Sequence, residues 1–297
     1  MYFSYAYCGG AFPAPFTARI CKVNGIKHPL QDVIVQSGKL ECTECTSRIK
    51  RMEGLKGFVR KAENGKYEAV KPEYVLTTHT SVDYNSHTAL DGSLYSVKAI
   101  KKGQKFIAVI DDCDSGMIYE GKIIYAGKFS SAGFGKMKIS SITDAAEASS
   151  QSVIDSVEDF ENRFKVKNKA ALLFMSDALL DFGEISTNHT KEEYLKIWQN
   201  ALFGAENAPI LVEKVYAQTQ IYSGYDTSKK WGEWKQKEPQ LLVLKGTSVL
   251  LDISDREQAA GLLAKLENDG IGQKTKDGFG QIKVCHDIHK LGVGNDE

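Results

Sequence analysis

Net charge is what this chain most plainly lacks. Lysine plus arginine and aspartate plus glutamate number 38 each in 297 residues, so whole-chain electrostatics favour no partner and a polyanion must meet a local patch. No apolar run is long enough to span a bilayer, which argues against a membrane partner. The opening MYFSYAYCGG lacks the basic start and apolar stretch of a secretory leader. Six cysteines in a chain of this length do not make a disulfide scaffold, so a cytosolic protein is expected. Nucleotide signatures are missing too. Neither glycine-rich stretch has the G-x4-G-K-[ST] of a phosphate loop. A dinucleotide fingerprint must follow a strand and open a helix, and the glycines here stand the other way round.

What is present is a repeat. GKFSSAGFGKMKI (127–139) and GQKTKDGFGQIKV (272–284) share the pattern G-x5-G-F-G-x-φ-K-φ, where φ is apolar, at a separation of 145 positions. Gly127, Gly133, Phe134, Gly135 and Lys138 recur as Gly272, Gly278, Phe279, Gly280 and Lys283. Glycine at three fixed places implies positive φ or close approach of a ligand. A second echo lies upstream: Lys102-Gly103 in IKKGQKFIAVI and Lys245-Gly246 in VLKGTSVLLDI, each an apolar strand, a Lys-Gly turn and another strand. Two signals in one order suggest two copies of one unit.

The pattern of the second half reads β-α-β-β-α-β. A strand falls within AALLFMSDALLDF (170–182), and a helix over 190–203 has Thr190 and Glu193 as a capping box. Then come a long extended segment VEKVYAQTQIYSGY, a hairpin QLLVLKGTSVLLDI, a helix capped by Ser254 or Asp255, the glycine loop and a last strand. That order is ferredoxin-like, the arrangement of RRM domains, which bind single-stranded RNA on the sheet face or loops. The fold class expected is α+β, two ferredoxin-like (RRM-like) units with glycine-rich loops. Residues 1–145 form the first, with an irregular cysteine-containing start, and 165–297 the second. The first lacks a clear opening strand and helix, so it is degenerate or N-terminally incomplete. Residues 144–163 are the boundary, with room for a short helix.

A glycine-rich loop ahead of the last strand of a ferredoxin-like unit, used twice, resembles the RAMP superfamily of CRISPR-associated proteins. HTSVDYNSHTALDGSLYSVKAIKKGQKFIAVI (79–110) looks like that family's central hairpin, and WGEWKQKEPQLLVLKGTSVLLDI resembles the second unit of its Cas-five group, with the Csx-ten subunits of type III-D effectors most similar. The resemblance implies a prokaryotic cytoplasmic subunit of an RNA-guided antiviral complex. Such a subunit would be non-catalytic, grip the 5′ handle of the guide RNA, and contact other RAMP and large subunits. The loops Gly127, Lys128, Gly133, Gly135 and Lys136, and Gly272, Lys274, Lys276, Gly278 and Gly280, would then meet RNA, the lysines supplying phosphate contacts. The bland alternative is a plain tight turn.

Three other constellations carry chemistry. Cys42-Thr-Glu-Cys45 is a C-x2-C that Cys21 and His28 can complete as a tetrahedral zinc site, with Cys8 as a substitute; otherwise these are packed thiols. No cofactor is required beyond this possible structural zinc. Cys113 and Cys285 sit in strand-like contexts as core thiols. His79, Tyr84 and His87, with Asp83, offer groups for metal-independent cleavage of repeat RNA, the alternative being a polar hairpin that stacks on RNA. Trp231 and Trp234 among Lys229, Lys230, Lys235 and Lys237 suit base stacking or docking on a neighbour.

Overall fold

The computed structural model describes residues 2–36, 40–46, 50–111, 116–183, 189–204, 209–226 and 235–291. The Trp231–Trp234 patch and Cys113 lie outside them. The fold is mixed α and β, with antiparallel sheets and, among the described residues, three α-helices.

Helix α1 (Ser150–Phe164) falls where the sequence left room for a short helix, in the stretch 144–163. Ser149 accepts from the Ser152 amide, and Ser152 closes the capping box in return. Val153, Val157 and Phe160 form one buried stripe at helical spacing. Strand β1 (Lys169–Phe174) follows, then α2 (Lys191–Phe203), whose Thr190–Glu193 capping box stands where the sequence placed it. Next come β2 (Ile210–Tyr216), β3 (Ser248–Ile253), α3 (Arg256–Asp269) capped by Asp255, and β4 (Ile282–Val284). The four strands lie in the order β2-β3-β1-β4, every pair antiparallel. From β1 onward this is the β-α-β-β-α-β order of a ferredoxin-like unit.

Strands β1 and β3 are apolar on both faces, so both must be covered. On one face Leu172, Phe174, Val249, Leu251, Ile282 and Val284 share a core with Val157, Phe160, Trp198, Leu202 and Leu263 of the three helices. On the other, Leu173 packs with Phe12, Ala14, Ala18, Leu55, Val59, Tyr67 and Ile288. The N-terminal segment therefore lies on the surface that RRM domains leave open for RNA. Polar ties hold it down. The Tyr216 hydroxyl donates to the Val33 carbonyl at 3.4 Å and the Lys214 ammonium to that of Val35 at 3.3 Å. Asp32 and His289 are both buried and meet at 2.9 Å, His289 Nδ1–H donating to the carboxylate. The same carboxylate accepts from Thr17 Oγ1 and the Ile34 amide, each at 2.8 Å. A buried carboxylate is tolerated only when saturated in this way.

The expected hairpin QLLVLKGTSVLLDI is not one. Gln240–Val243 pairs with Ala178–Leu179 and Thr219–Tyr222, whereas β3 pairs with β1 and β2. Lys245-Gly246 is a corner between two sheets. Gly246, at φ 87°, has the Ala14 carbonyl oxygen 2.4 Å from where a Cβ would sit, so no side chain fits there. The extended stretches 170–182 and 212–225 break likewise, each passing from the central sheet into the three-stranded one.

The first half is built of smaller pieces. A long ribbon joins Tyr74–Val82 to Ala89–Ile100, and a hairpin joins Ile123–Tyr125 to Lys136–Lys138. No α-helix occurs among the described residues before Ser150, so a complete second ferredoxin-like order is not present there. Gly103, at φ 94°, is again a corner: Ala89–Ile100 pairs back onto the ribbon, while Phe106–Ile107 pairs with Tyr7–Cys8.

His286 joins the same lower core. Its ring lies 4.3 Å from that of Phe12, and its Nδ1 accepts from the Ile288 amide at 3.2 Å. Burial, then the neighbouring His289, pushes its pKa from 6.5 down to about 3. The folded protein keeps this ring neutral while the unfolded chain protonates it near its ordinary value. Stability is therefore complete above that value and is lost as the pH falls from there toward 3. At pH 5 the loss is about 2 kcal/mol. Urea titrations at pH 7 and pH 5 are expected to show it, and His286→Asn, which keeps the acceptor, to flatten it. An identical pH response in the variant would refute this assignment.

Candidate nucleic-acid interface and metal centre

The two glycine loops are one backbone structure used twice. Gly127, Phe129, Gly133 and Gly135 have φ of 93°, 62°, 88° and 70°; Gly272, Lys274, Gly278 and Gly280 have 84°, 57°, 88° and 69°. A single 3-10 turn, Ser130–Ala132 or Thr275–Asp277, sits at the same place in each. Hydrogen bonds repeat as well: the Ala126 and Ile271 amides donate to the Gly135 and Gly280 carbonyls at 3.0 and 2.8 Å. A Cβ at Gly135 would lie 1.9 Å from the Ala126 oxygen, and one at Gly280 1.8 Å from that of Ile271. These two glycines are therefore required by the loop's own carbonyl. Gly272 likewise presses on the Leu179 oxygen, at 2.4 Å, whereas Gly127 and Gly133 face open space at positive φ.

Around each loop the chain gathers aromatic rings. Phe134 lies 5.8 Å from His79 and 6.4 Å from Phe129, and His79 stacks on Tyr95 at 5.6 Å. Phe279 lies 6.1 Å from both Tyr5 and Tyr222. Cations sit beside the second cluster: Lys274 Nζ is 5.1 Å from the Tyr222 ring and Lys245 Nζ 6.0 Å from that of Tyr5. Lys245 also pairs with Asp177 at 3.1 Å. Burial, then Asp177, raises the Tyr5 pKa, so its hydroxyl stays a neutral donor. Lys128, Lys136, Lys274 and Lys276 are exposed. Sequence reasoning found the lysines and the repeated Phe but missed Tyr5, Tyr95 and Tyr222, which come from distant segments; their spacing in the chain gives no sign of the meeting.

Lys283 on β4 stands opposite Leu173 on β1 and is exposed, its ammonium bonded to Glu267. Glu267 also accepts from the Val284 amide, so it caps the open edge of β4.

The structure separates His79 from Tyr84 and His87. His79 lies within the ribbon, its Nε2 2.9 Å from Thr77 Oγ1. Tyr84 and His87 sit in the turn beyond it, Tyr84 at 89% exposure and His87 at φ 52°. Asp83 holds that turn by accepting from the Asn85 and Ser86 amides and the Ser86 hydroxyl. The Ser86 amide leads in holding its pKa below the usual carboxylate range. No hydrogen bond or ring contact joins the three candidates among the described residues.

Cys21, His28, Cys42 and Cys45 converge, every potential ligand atom within 4.8 Å of the others. Cys21 and Cys45 Sγ are 3.9 Å apart, and His28 Nδ1 is 3.1 Å from Cys42 Sγ. A tetrahedral zinc with bonds of about 2.3 Å to sulfur has an S–S edge of about 3.8 Å. The donor set fits: three thiols and an imidazole that can hold a metal. The Asn24 amide hydrogen points at Cys21 Sγ at 3.4 Å and leads in lowering that thiol's pKa; burial raises that of Cys42. The Asn24 side-chain amide lies 3.0 Å from His28 Nε2, the kind of partner that orients a ligating imidazole. Cys8 lies elsewhere, 3.9 Å from Gln104 Oε1. Cys285 is a buried core thiol, its pKa pushed up to about 12 by burial.

No protein-family model matches this sequence, and no curated protein does. Solved structures do. A chain from the type III-B Cmr-beta complex bound to cognate target RNA aligns at 14% identity and a TM-score of 0.40, covering 84% of this chain and 64% of that one. A chain from the same complex with AMPPnP gives 15%, 0.40, 84% and 66%. The CRISPR endoribonuclease Cse3 bound to a 19-nucleotide RNA gives 13%, 0.30, 71% and 80%. This chain thus spans under two thirds of the length of the Cmr-beta chains it is similar to. No described helix is long and apolar enough to cross a membrane.

The loop geometry makes a direct prediction. Gly280→Ala is expected to lower stability by about 3 kcal/mol or more, since a Cβ there meets backbone of the central unit and adds strain at positive φ. Gly135→Ala carries the same clash in an exposed hairpin and should move the melting temperature much less. Equal shifts would show that the two loops are not tied to the core as differently as their surroundings indicate.

Proposed function

We propose that this chain is an RNA-binding structural subunit of a type III CRISPR interference complex, of the RAMP superfamily and resembling its Csx-ten group. Its two glycine loops grip the 5′ handle of the guide RNA. Residues 1–145 are a degenerate first RAMP unit and 165–297 the second, acting in the cytoplasm of a prokaryote. One observation carries this reading: the same strained loop is built twice, and each time it holds a Phe within an aromatic cluster beside exposed lysines. Rings that accept stacked bases, next to cations that meet phosphates, are what a single strand requires. The N-terminal layer over the central sheet supports loops as the contact surface, because the usual RRM face is covered. The ribbon supports a partner role. Leu76, Val82, Leu94 and Ile100 expose between 52% and 72% of their surface there, enough to suit burial against neighbouring RAMP and large subunits. The alternative, cleavage by His79, Tyr84 and His87, needs a positioned pair, and these three share no contact to support it.

Zinc completes the reading at Cys21, His28, Cys42 and Cys45. The segment around it is irregular, and a metal there contributes folding energy that its few apolar residues do not supply.

Two outcomes are expected. Changing Lys274 and Lys276 to Ala should weaken single-stranded RNA binding about equally across sequences, and should flatten the salt dependence by roughly 0.7 per lost phosphate contact. Filter binding over a salt series reads both; an unchanged slope would remove the loop from the interface. Metal analysis of protein purified without added zinc should find one zinc per chain, and Cys42→Ser with Cys45→Ser should abolish it and lower the melting temperature. A metal-free, equally stable wild type would count the cluster as packed thiols.

A further inference from the structure

We propose that a cleft between the N-terminal segment and the outer face of the central sheet binds a nucleoside monophosphate, either free or as one unit of an RNA chain. Its volume is about 420 Å³, within the range of small-molecule sites. Arg19 and Lys214 line it together with Gln36, Tyr216, Met52, Val33 and Leu40, and among the described residues no carboxylate does. In a chain with equal numbers of acids and bases, two cations facing one cavity without an acid is a local surplus. Asp32, adjacent in sequence to the lining residue Val33, has its carboxylate bonded to Thr17, Ile34 and His289; burial and then its charge raise the pKa of the lining Tyr216, with Arg19 opposing.

The backbone builds this site deliberately. Strand β2 carries a bulge between Val212 and Lys214. Simple alternation from the core-facing Val212 would turn Lys214 and Tyr216 into the helix layer. The extra residue, Glu213, reverses the phase, so Lys214 stands opposite Leu250 and Tyr216 opposite Ser248, on the outer face. Val215 then packs into the helix-side core instead. Arg19 is held by its own bonds, Nη1 donating to the Phe16 carbonyl at 2.9 Å and that of Ala18 at 3.3 Å, while Nη2 and Nε make no hydrogen bond among the described residues. Lys214 uses one proton on Val35 and has others to give.

The lining sorts by chemistry. A guanidinium and an ammonium suit a phosphate, Arg by its planar fork and Lys as a point charge. Met52, Leu40, Val33 and the Tyr216 ring offer an apolar slot for a base. The site shares no residue with the glycine loops, so failure of the loop interface would leave it standing.

The test is calorimetric titration of the full chain with adenosine and uridine 5′-monophosphates, with inorganic phosphate and the bare nucleosides as controls. A short 5′-phosphorylated RNA is titrated in parallel. Lys214→Met and Tyr216→Leu are each expected to weaken binding about tenfold, the effect of one charge-assisted bond or stacked ring. Binding of the mononucleotides that both variants weaken assigns the cleft to a free nucleotide. Binding of RNA alone, weakened likewise, assigns it to a unit of the chain. Lys214→Arg, which keeps the charge, should restore affinity and so separates loss of the ligand from loss of the fold. Inorganic phosphate binding as tightly as the nucleotides, affinity that neither variant alters, or no binding of any of these ligands would overturn the proposal.

Discussion

The central sheet must be covered on both faces, and the rest of the molecule follows from that. Strands β1 and β3 are apolar on every residue from Ala170 to Phe174 and from Val249 to Leu251. Helices cover only one side of such a sheet. The other side is closed by N-terminal residues between 12 and 67 together with Ile288, and the seal is chemical as well as apolar: Asp32, from the N-terminal segment, is buried against His289 near the far end of the chain. Breaking one partner of a buried pair leaves the other uncompensated, so this contact fixes which segment lies on the sheet.

Covering that face has consequences for recognition. A surface occupied by protein cannot receive bases, so under the proposed function binding falls to the loops and to the cleft at the rim of the covering segment. The covering segment is built of strands only two to four residues long, with irregular chain between them. A convergence of Cys21, His28, Cys42 and Cys45 is the compensation such a segment calls for. Arg19 and Cys21 lie on the same short strand, and Met52 pairs with Cys21 while lining the cleft. Thiol cluster, sheet cover and cleft are thus parts of one small layer.

Much of the second half was legible because its signals are local. Thr190 with Glu193 caps a helix by bonds three residues apart, and the glycine loops show in sequence because positive φ and carbonyl contact each exclude side chains at fixed positions. Cysteine spacing suggested the thiol cluster for a similar reason: few ligand types exist, and they lay in one short region. The hairpin over 240–253 was misread because a Lys-Gly corner and a hairpin turn look alike in sequence. What distinguishes them is pairing: Gln240–Val243 joins the three-stranded sheet and Ser248–Ile253 the central one, partners that lie far off in the sequence.

By itself, then, the sequence determined the order of strands and helices in the second unit, the duplicated loop and the four metal-competent side chains. Each shows in a short stretch of chain: the capping boxes over three residues, the loop's own amide–carbonyl bonds over nine, and the metal candidates over positions 21–45. Tertiary structure alone decided which face of the sheet is closed and that Tyr5, Tyr95 and Tyr222 meet the loop phenylalanines. It also decided that a one-residue bulge at Glu213 turns Lys214 and Tyr216 outward. Strand periodicity predicts the opposite face for both, since alternation cannot reveal an inserted residue until its partner strand is in place.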